Sequence, residues 1–91
     1  MHIIAIDFDL AKAQSNFSKH GVTFEEAASC LLDARALARE DQSADGEVRI
    51  VLLGCSAMGR LLTVVYTLRG ETPRIISARK ATKNETKSYE T

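Results

Sequence analysis

The stretch VRIVLLGCSAMGRLLTVVYTLRGETPRIISA, residues 48–78, decides the fold. Three runs within it, Val48–Cys55, Leu61–Leu68 and Arg74–Ala78, are rich in Val, Ile, Leu and Thr, side chains that pack well on a pleated surface. The joins Gly54-Cys55-Ser56-Ala57-Met58-Gly59 and Arg69-Gly70-Glu71-Thr72 are short and contain glycine, as hairpins require. A parallel crossover needs a dozen or more residues, so the three runs are predicted to be antiparallel neighbours.

Working outward toward the N-terminus, Ile3–Ile6 reads as a short strand and Asp9 as the cap of a helix that begins near Leu10 and ends at Gly21. On that helix Leu10, Ala13 and Phe17 fall at the spacing of one buried stripe, with Lys12, Asn16 and Lys19 on a basic polar face. Thr23-Phe24-Glu25-Glu26 is a capping box, in which the Thr23 hydroxyl accepts from the Glu26 N–H while the Glu26 side chain reaches back. A second helix therefore starts there, stapled by Val22 and Ala27. It buries Phe24, Ala27, Ala28 and Leu31 and stops near Asp33. Residues 40–47 are polar and turn-forming and read as an exposed loop. Beyond the meander, Thr82-Lys83-Asn84-Glu85 is another capping box, which opens a closing helix carrying Lys87 and Tyr89. The order is strand, two helices, a meander of strands and a helix, an α+β domain spanning residues 1–91.

Ninety-one residues with 45% apolar content can bury one modest core, which leaves the surface as the place for any site. Cys30 and Cys55 have no CxxC spacing and no histidine pair nearby, so neither zinc nor a disulfide framework is expected. The N-terminus has neither the basic start nor the cleavage region of a signal peptide, and no run reaches the roughly 18 apolar residues of a bilayer span. A cytoplasmic protein without cofactor is expected. The formal net charge of zero conceals a division. Residues 1–46 carry four cations against eight carboxylates, and residues 47–91 carry eight against four. A basic face is thus compatible with overall neutrality.

Arg79 and Lys80 stand at a strand end just before a helix N-terminus, where free N–H groups, the helix dipole and an arginine fork suit phosphate. Arg60 follows Gly59 on the pleat face of Leu62, Val64 and Tyr66 and can reach the same patch. Lys19 and His20 close the first helix, where cations are favoured by the dipole alone; a histidine is also the side-chain type suited to moving a proton at neutral pH. The segment Ile3–Asp9, an apolar run followed by Asp7 and Asp9, resembles the nucleophile strand of haloacid dehalogenase-type phosphatases. That family needs a doubly wound parallel sheet, which an antiparallel second half cannot supply. Ser56 has no His/Asp constellation to activate it.

Four blocks together carry a resemblance along nearly the whole chain: Asp9–Lys12 with Asn16, Lys19–Ala27, Gly59–Thr67, and Arg74–Ala81 with Glu85 and Tyr89. In order and spacing they are similar to the BrnT toxin family. The resemblance departs at its opening, where the usual Phe-Glu-Trp-Asp-Pro is Ile6-Asp7-Phe8-Asp9-Leu10. It implies a RelE-like ribonuclease fold, an antiparallel sheet packed against N-terminal helices with a C-terminal helix. It further implies growth arrest through RNA cleavage and a BrnA-type antitoxin whose ribbon-helix-helix segment, rather than the toxin, binds operator DNA. A homodimer within that complex is compatible with it, and a membrane partner is not expected. By this resemblance Arg60, Arg79 and Lys80 hold the phosphate; Lys19 and His20 are, by their chemistry, the candidates to position or move protons, and Lys12, Lys83 and Tyr66 the candidates to contact RNA. The rival is a non-catalytic RNA- or protein-binding module, including a toxin that has lost its activity.

Overall fold

The computed structural model describes residues 5–42 and 46–91. Helix α1 spans Leu10–His20 and helix α2 Phe24–Ser29, continued by a 3-10 turn over Cys30–Leu32. Strands β1 (Leu37–Gln42), β2 (Val48–Cys55), β3 (Leu61–Arg69) and β4 (Thr72–Lys80) follow, and helix α3 spans Lys83–Glu90. The four strands form one sheet in the order β1-β2-β3-β4, with every neighbour antiparallel. The expected α+β architecture is therefore present, with the meander and both outer helical segments in place.

Cross-strand partners share a sheet face, so the register assigns each side chain to one of two surfaces. Leu52 pairs with Val64 and Val64 with Ala78, and these residues with Leu62 and Ile75 are buried against Val22, Phe24, Ala27 and Cys30. That face is the core, covered by α1 and α2. On the reverse face Leu37, Leu53, Thr63 and Arg79 lie in one row. Here α3 packs its Glu85 and Ser88 beside Leu37, Val51, Leu53 and Thr63 around a cavity of about 250 Å³. A hydrogen bond from the Tyr89 hydroxyl to Asp33 (2.6 Å) ties α3 to the end of the 3-10 turn.

Four expectations are corrected. The first strand lies partly outside the described residues, and Ala5 and Ile6 are not strand; only Asp7 makes a parallel bridge to Arg74 on the edge of β4. Two hydrogen bonds, Asp7 N–H to Pro73 (2.9 Å) and Ile75 N–H to Asp7 (3.0 Å), hold that bridge. The supposed loop 40–47 begins as strand, since Glu40–Gln42 belong to β1; residues 43–45 lie outside the described residues. Of the expected α1 stripe, Ala13 packs against the core, but Leu10 and Phe17 are 66% and 55% exposed, while Asn16 is buried. Asn16 turns inward because its carboxamide donates to Val22 (3.0 Å) and Ala78 (2.9 Å) and accepts from the Ala78 N–H (3.1 Å). Three hydrogen bonds satisfy a buried amide well enough to outweigh apolar periodicity. Lastly, Thr23 caps α2 by accepting from Glu26 N–H (3.0 Å), but the Glu26 side chain is drawn away to an arginine.

Candidate functional site

The sheet end where β3 begins and β4 finishes gathers most of the cations singled out in the sequence. Ser56 through Gly59 form the turn before β3, closed by Gly59 N–H to Ser56 (2.9 Å) and Ser56 N–H to Arg60 (2.8 Å). Gly59 has φ +79°, a left-handed conformation that a side chain would strain, so glycine at this turn fixes where Arg60 emerges. The Arg60 guanidinium then crosses to the helices. Its Nε donates to Glu26 Oε2 (2.9 Å), one Nη to Glu26 Oε1, and the same Nη to the Gly21 carbonyl (3.1 Å).

Glu26 is buried, with a side chain only 4% exposed. The Arg60 hydrogen bond, with help from the Ser56 hydroxyl (2.7 Å), holds its carboxyl below the usual carboxylate range against the opposing effect of burial. Reciprocally, Glu26 raises the Arg60 guanidinium further. Ser56 Oγ also accepts from Met58 N–H (3.2 Å) and Arg60 N–H (3.3 Å), so one hydroxyl links the buried carboxylate to the turn.

Because Arg60 reaches Gly21, it ends at the C-terminal cap of α1, where Lys19 and His20 form the last turn. Lys12, Lys19 and His20 line a shallow groove of about 190 Å³ with Asn16, Ile76 and Ser77, where α1 runs along β4. Lys80 pairs with Leu62, which puts it on the same sheet face as these residues, exposed at the end of β4. Arg79, one residue earlier, points to the reverse face. There its fork meets Glu85 through two hydrogen bonds of 2.8 and 3.1 Å and its Nη1 also donates to the Lys80 carbonyl (3.2 Å). The Arg79 guanidinium, with the Thr82 N–H (2.8 Å) adding to it, pulls the Glu85 carboxyl down to about 2. The capping box of α3 thus doubles as the seat of Arg79.

The structure brings Lys12, Lys19, His20, Arg60 and Lys80 to one side of this sheet end and Arg79 to the other. Lys83, in the first turn of α3, is exposed. Tyr66 is half-buried and packs against the core, and burial pushes its phenol up. Phe8 meets the Phe24 ring edge-on at 5.9 Å. Among the described residues no group of three or more His, Cys, Asp or Glu side chains could hold a metal ion. Cys30 is buried and its thiol is pushed up to about 12 by burial, which makes it inert. Among the described residues no helix is long and apolar enough to cross a membrane.

Several residues that matter here were not singled out by sequence reasoning. The capping-box pattern explains Glu26 and Glu85 locally, and only a fold that faces them with arginines gives them a second role. On the reverse face Arg49 Nε and the Thr67 hydroxyl are buried without a hydrogen-bond partner among the described residues. Near them Arg74 is paired with Asp7 (2.6 Å).

Comparison with known proteins gives a consistent result. A family model described as the ribonuclease toxin BrnT of type II toxin–antitoxin systems matches residues 8–85. Among solved structures, the chain is similar to the 1.1 Å crystal structure of the Brucella abortus ribonuclease toxin BrnT. The TM-score is 0.67 at 25% identity, over 89% of this chain and 100% of that one. No curated protein matches at a significant level.

Proposed function

Since the chain belongs to the BrnT family of ribonuclease toxins of type II toxin–antitoxin systems, we propose that it cleaves RNA in the cytoplasm without a metal, arrests growth, and is neutralised by a BrnA-type antitoxin. The observation that carries this reading is the convergence of cations from three elements on one sheet end, where Arg60 from the β3 turn meets the α1 terminus of Lys19 and His20 beside Lys80 of β4. An RNA strand crossing that end would have Lys80 and Arg60 on one side of its phosphate and Arg79 on the other.

The reaction is attack of a 2′-hydroxyl on the adjacent phosphorus with departure of the 5′-oxygen, leaving a 2′,3′-cyclic phosphate. Phosphate charge grows in the transition state, and cations fixed beforehand stabilise it without reorganising. Glu26 and Glu85 fix them. Each takes two donors of an arginine fork, and among the described residues no acceptor takes the other Nη of Arg60, which is left for substrate. His20 exchanges a proton with the reacting oxygens, and Lys19 positions it. Lys12 and Lys83 extend the phosphate path.

The same two carboxylates favour a second reading. An arginine already neutralised by a buried or bidentate carboxylate is also what a purely structural cross-link looks like, so a module that binds RNA without cutting it is the alternative. One experiment separates them. The purified chain incubated with RNA in excess chelator should release fragments ending in cyclic phosphate, and the R79A/K80A double variant should lose at least about a hundredfold in rate while staying folded, the range set by removing electrostatic donors. Intact RNA, retarded but uncut by wild type, would establish the binding module.

A further inference from the structure

Helix α1 has two unlike flanks. The one beside β4 carries Lys12, Lys19 and His20. On the other, the strongly exposed Leu10 and Phe17 line a groove of about 440 Å³ together with Ala13 and the rings of Phe8 and Phe24. Leu10, Ala13 and Phe17 follow the i, i+3, i+7 spacing that a partner helix reads as a row of anchors. Exposed apolar side chains scattered singly need no explanation, but Leu10 and Phe17 share one groove whose floor is the half-buried Ala13 and Phe8, with Phe24 buried beneath.

The charge around this groove selects its occupant. Glu25 is exposed at its rim, Asp9 heads the helix, and among the described residues no cation lines it. An apolar floor with a carboxylate at its rim disfavours phosphate and hence RNA. It suits a helix with one apolar face and a basic flank. We infer that this groove seats an amphipathic helix of the protein antitoxin, with apolar side chains of that helix against Leu10 and Phe17 and a Lys or Arg opposite Glu25. The inference rests on the reading of the chain as a type II toxin. It places the antitoxin on the flank of α1 turned away from Lys12, Lys19 and His20, so antitoxin binding and RNA cleavage are separable by substitution.

The test uses the full chain and the antitoxin encoded by the neighbouring gene, with affinity measured by titration and cleavage measured on the free chain. In the L10S/F17S double variant, affinity should fall about a hundredfold, the scale of losing two anchor side chains. Cleavage should stay within about twofold of wild type. Both positions are largely exposed, which favours a folded variant, and Glu25→Lys offers a second probe that leaves the apolar floor intact and should weaken binding about tenfold through its rim charge alone. Unchanged affinity in both variants would overturn the docking site while leaving the toxin reading standing. If wild type and antitoxin form no complex, both fall. A free chain that is dimeric, and that L10S/F17S makes monomeric with antitoxin still bound, would make the groove a self-interface and overturn the inference.

Discussion

Asn16 shows how much one side chain can decide. Its carboxamide joins α1 to the Val22 carbonyl and to both backbone groups of Ala78, so it sets the distance of the basic flank of α1 from β4. Asn16→Ala leaves these buried backbone groups without partners and should cost about 2–4 kcal/mol in urea unfolding, more than an ordinary surface substitution. Its inward direction was not legible in the sequence. An asparagine on a helix with an apolar i, i+3, i+7 row reads as polar-out, and its receptors are main-chain groups, two of them 62 positions away, that carry no signature of their own. Glu26 was hidden similarly, because the capping-box pattern explains its identity locally while the fold faces it with Arg60.

At the scale of elements, legibility followed burial. The limits of β2 match the apolar run Val48–Cys55, and β3 and β4 extend the predicted runs by at most two residues at either end, because each strand has a buried face that imposes its period. By contrast β1 is exposed at all six positions, and nothing in Leu37–Gln42 alternates; it is a strand because β2 offers it a ladder. The α3 capping box was legible and holds, with one addition: Glu85 also binds Arg79. That addition has a pH signature. The Glu85 carboxyl is depressed from 4.5 to about 2, so its contribution to stability is complete above the unfolded value and is lost as pH falls toward the folded one. Glu26, also depressed, acts in the same direction. The thermal midpoint should therefore decline steadily from about pH 5 to about pH 3, and Glu85→Gln, which keeps a capping side chain but no charge, should flatten that decline and lower the midpoint at neutral pH.

For the molecule as a whole, the division of charge between the two halves of the sequence becomes a division between surfaces only in part. The groove between α1 and β4 draws Lys12 and Lys19 from the acidic half, and the arginines of the basic half go to both faces of the sheet. Cleavage-inactive chain bound to single-stranded RNA should show a linear loss of log affinity with log salt. Removing Lys12 and Lys19 together should reduce the slope by about 1.4, at roughly 0.7 for each phosphate no longer neutralised; an unchanged slope would take the α1 groove out of the RNA path. The sheet also has two edges, and they are finished differently. Asp7 bridges the edge of β4, whereas among the described residues the outer edge of β1 is bare and carries Arg39, Glu40 and Asp41 in succession. A run of mixed charge on such an edge strand disfavours the stacking of chain upon chain by which sheets grow into fibrils. The residues that make β1 invisible to periodicity are thus ones that disfavour edge-to-edge pairing of chains.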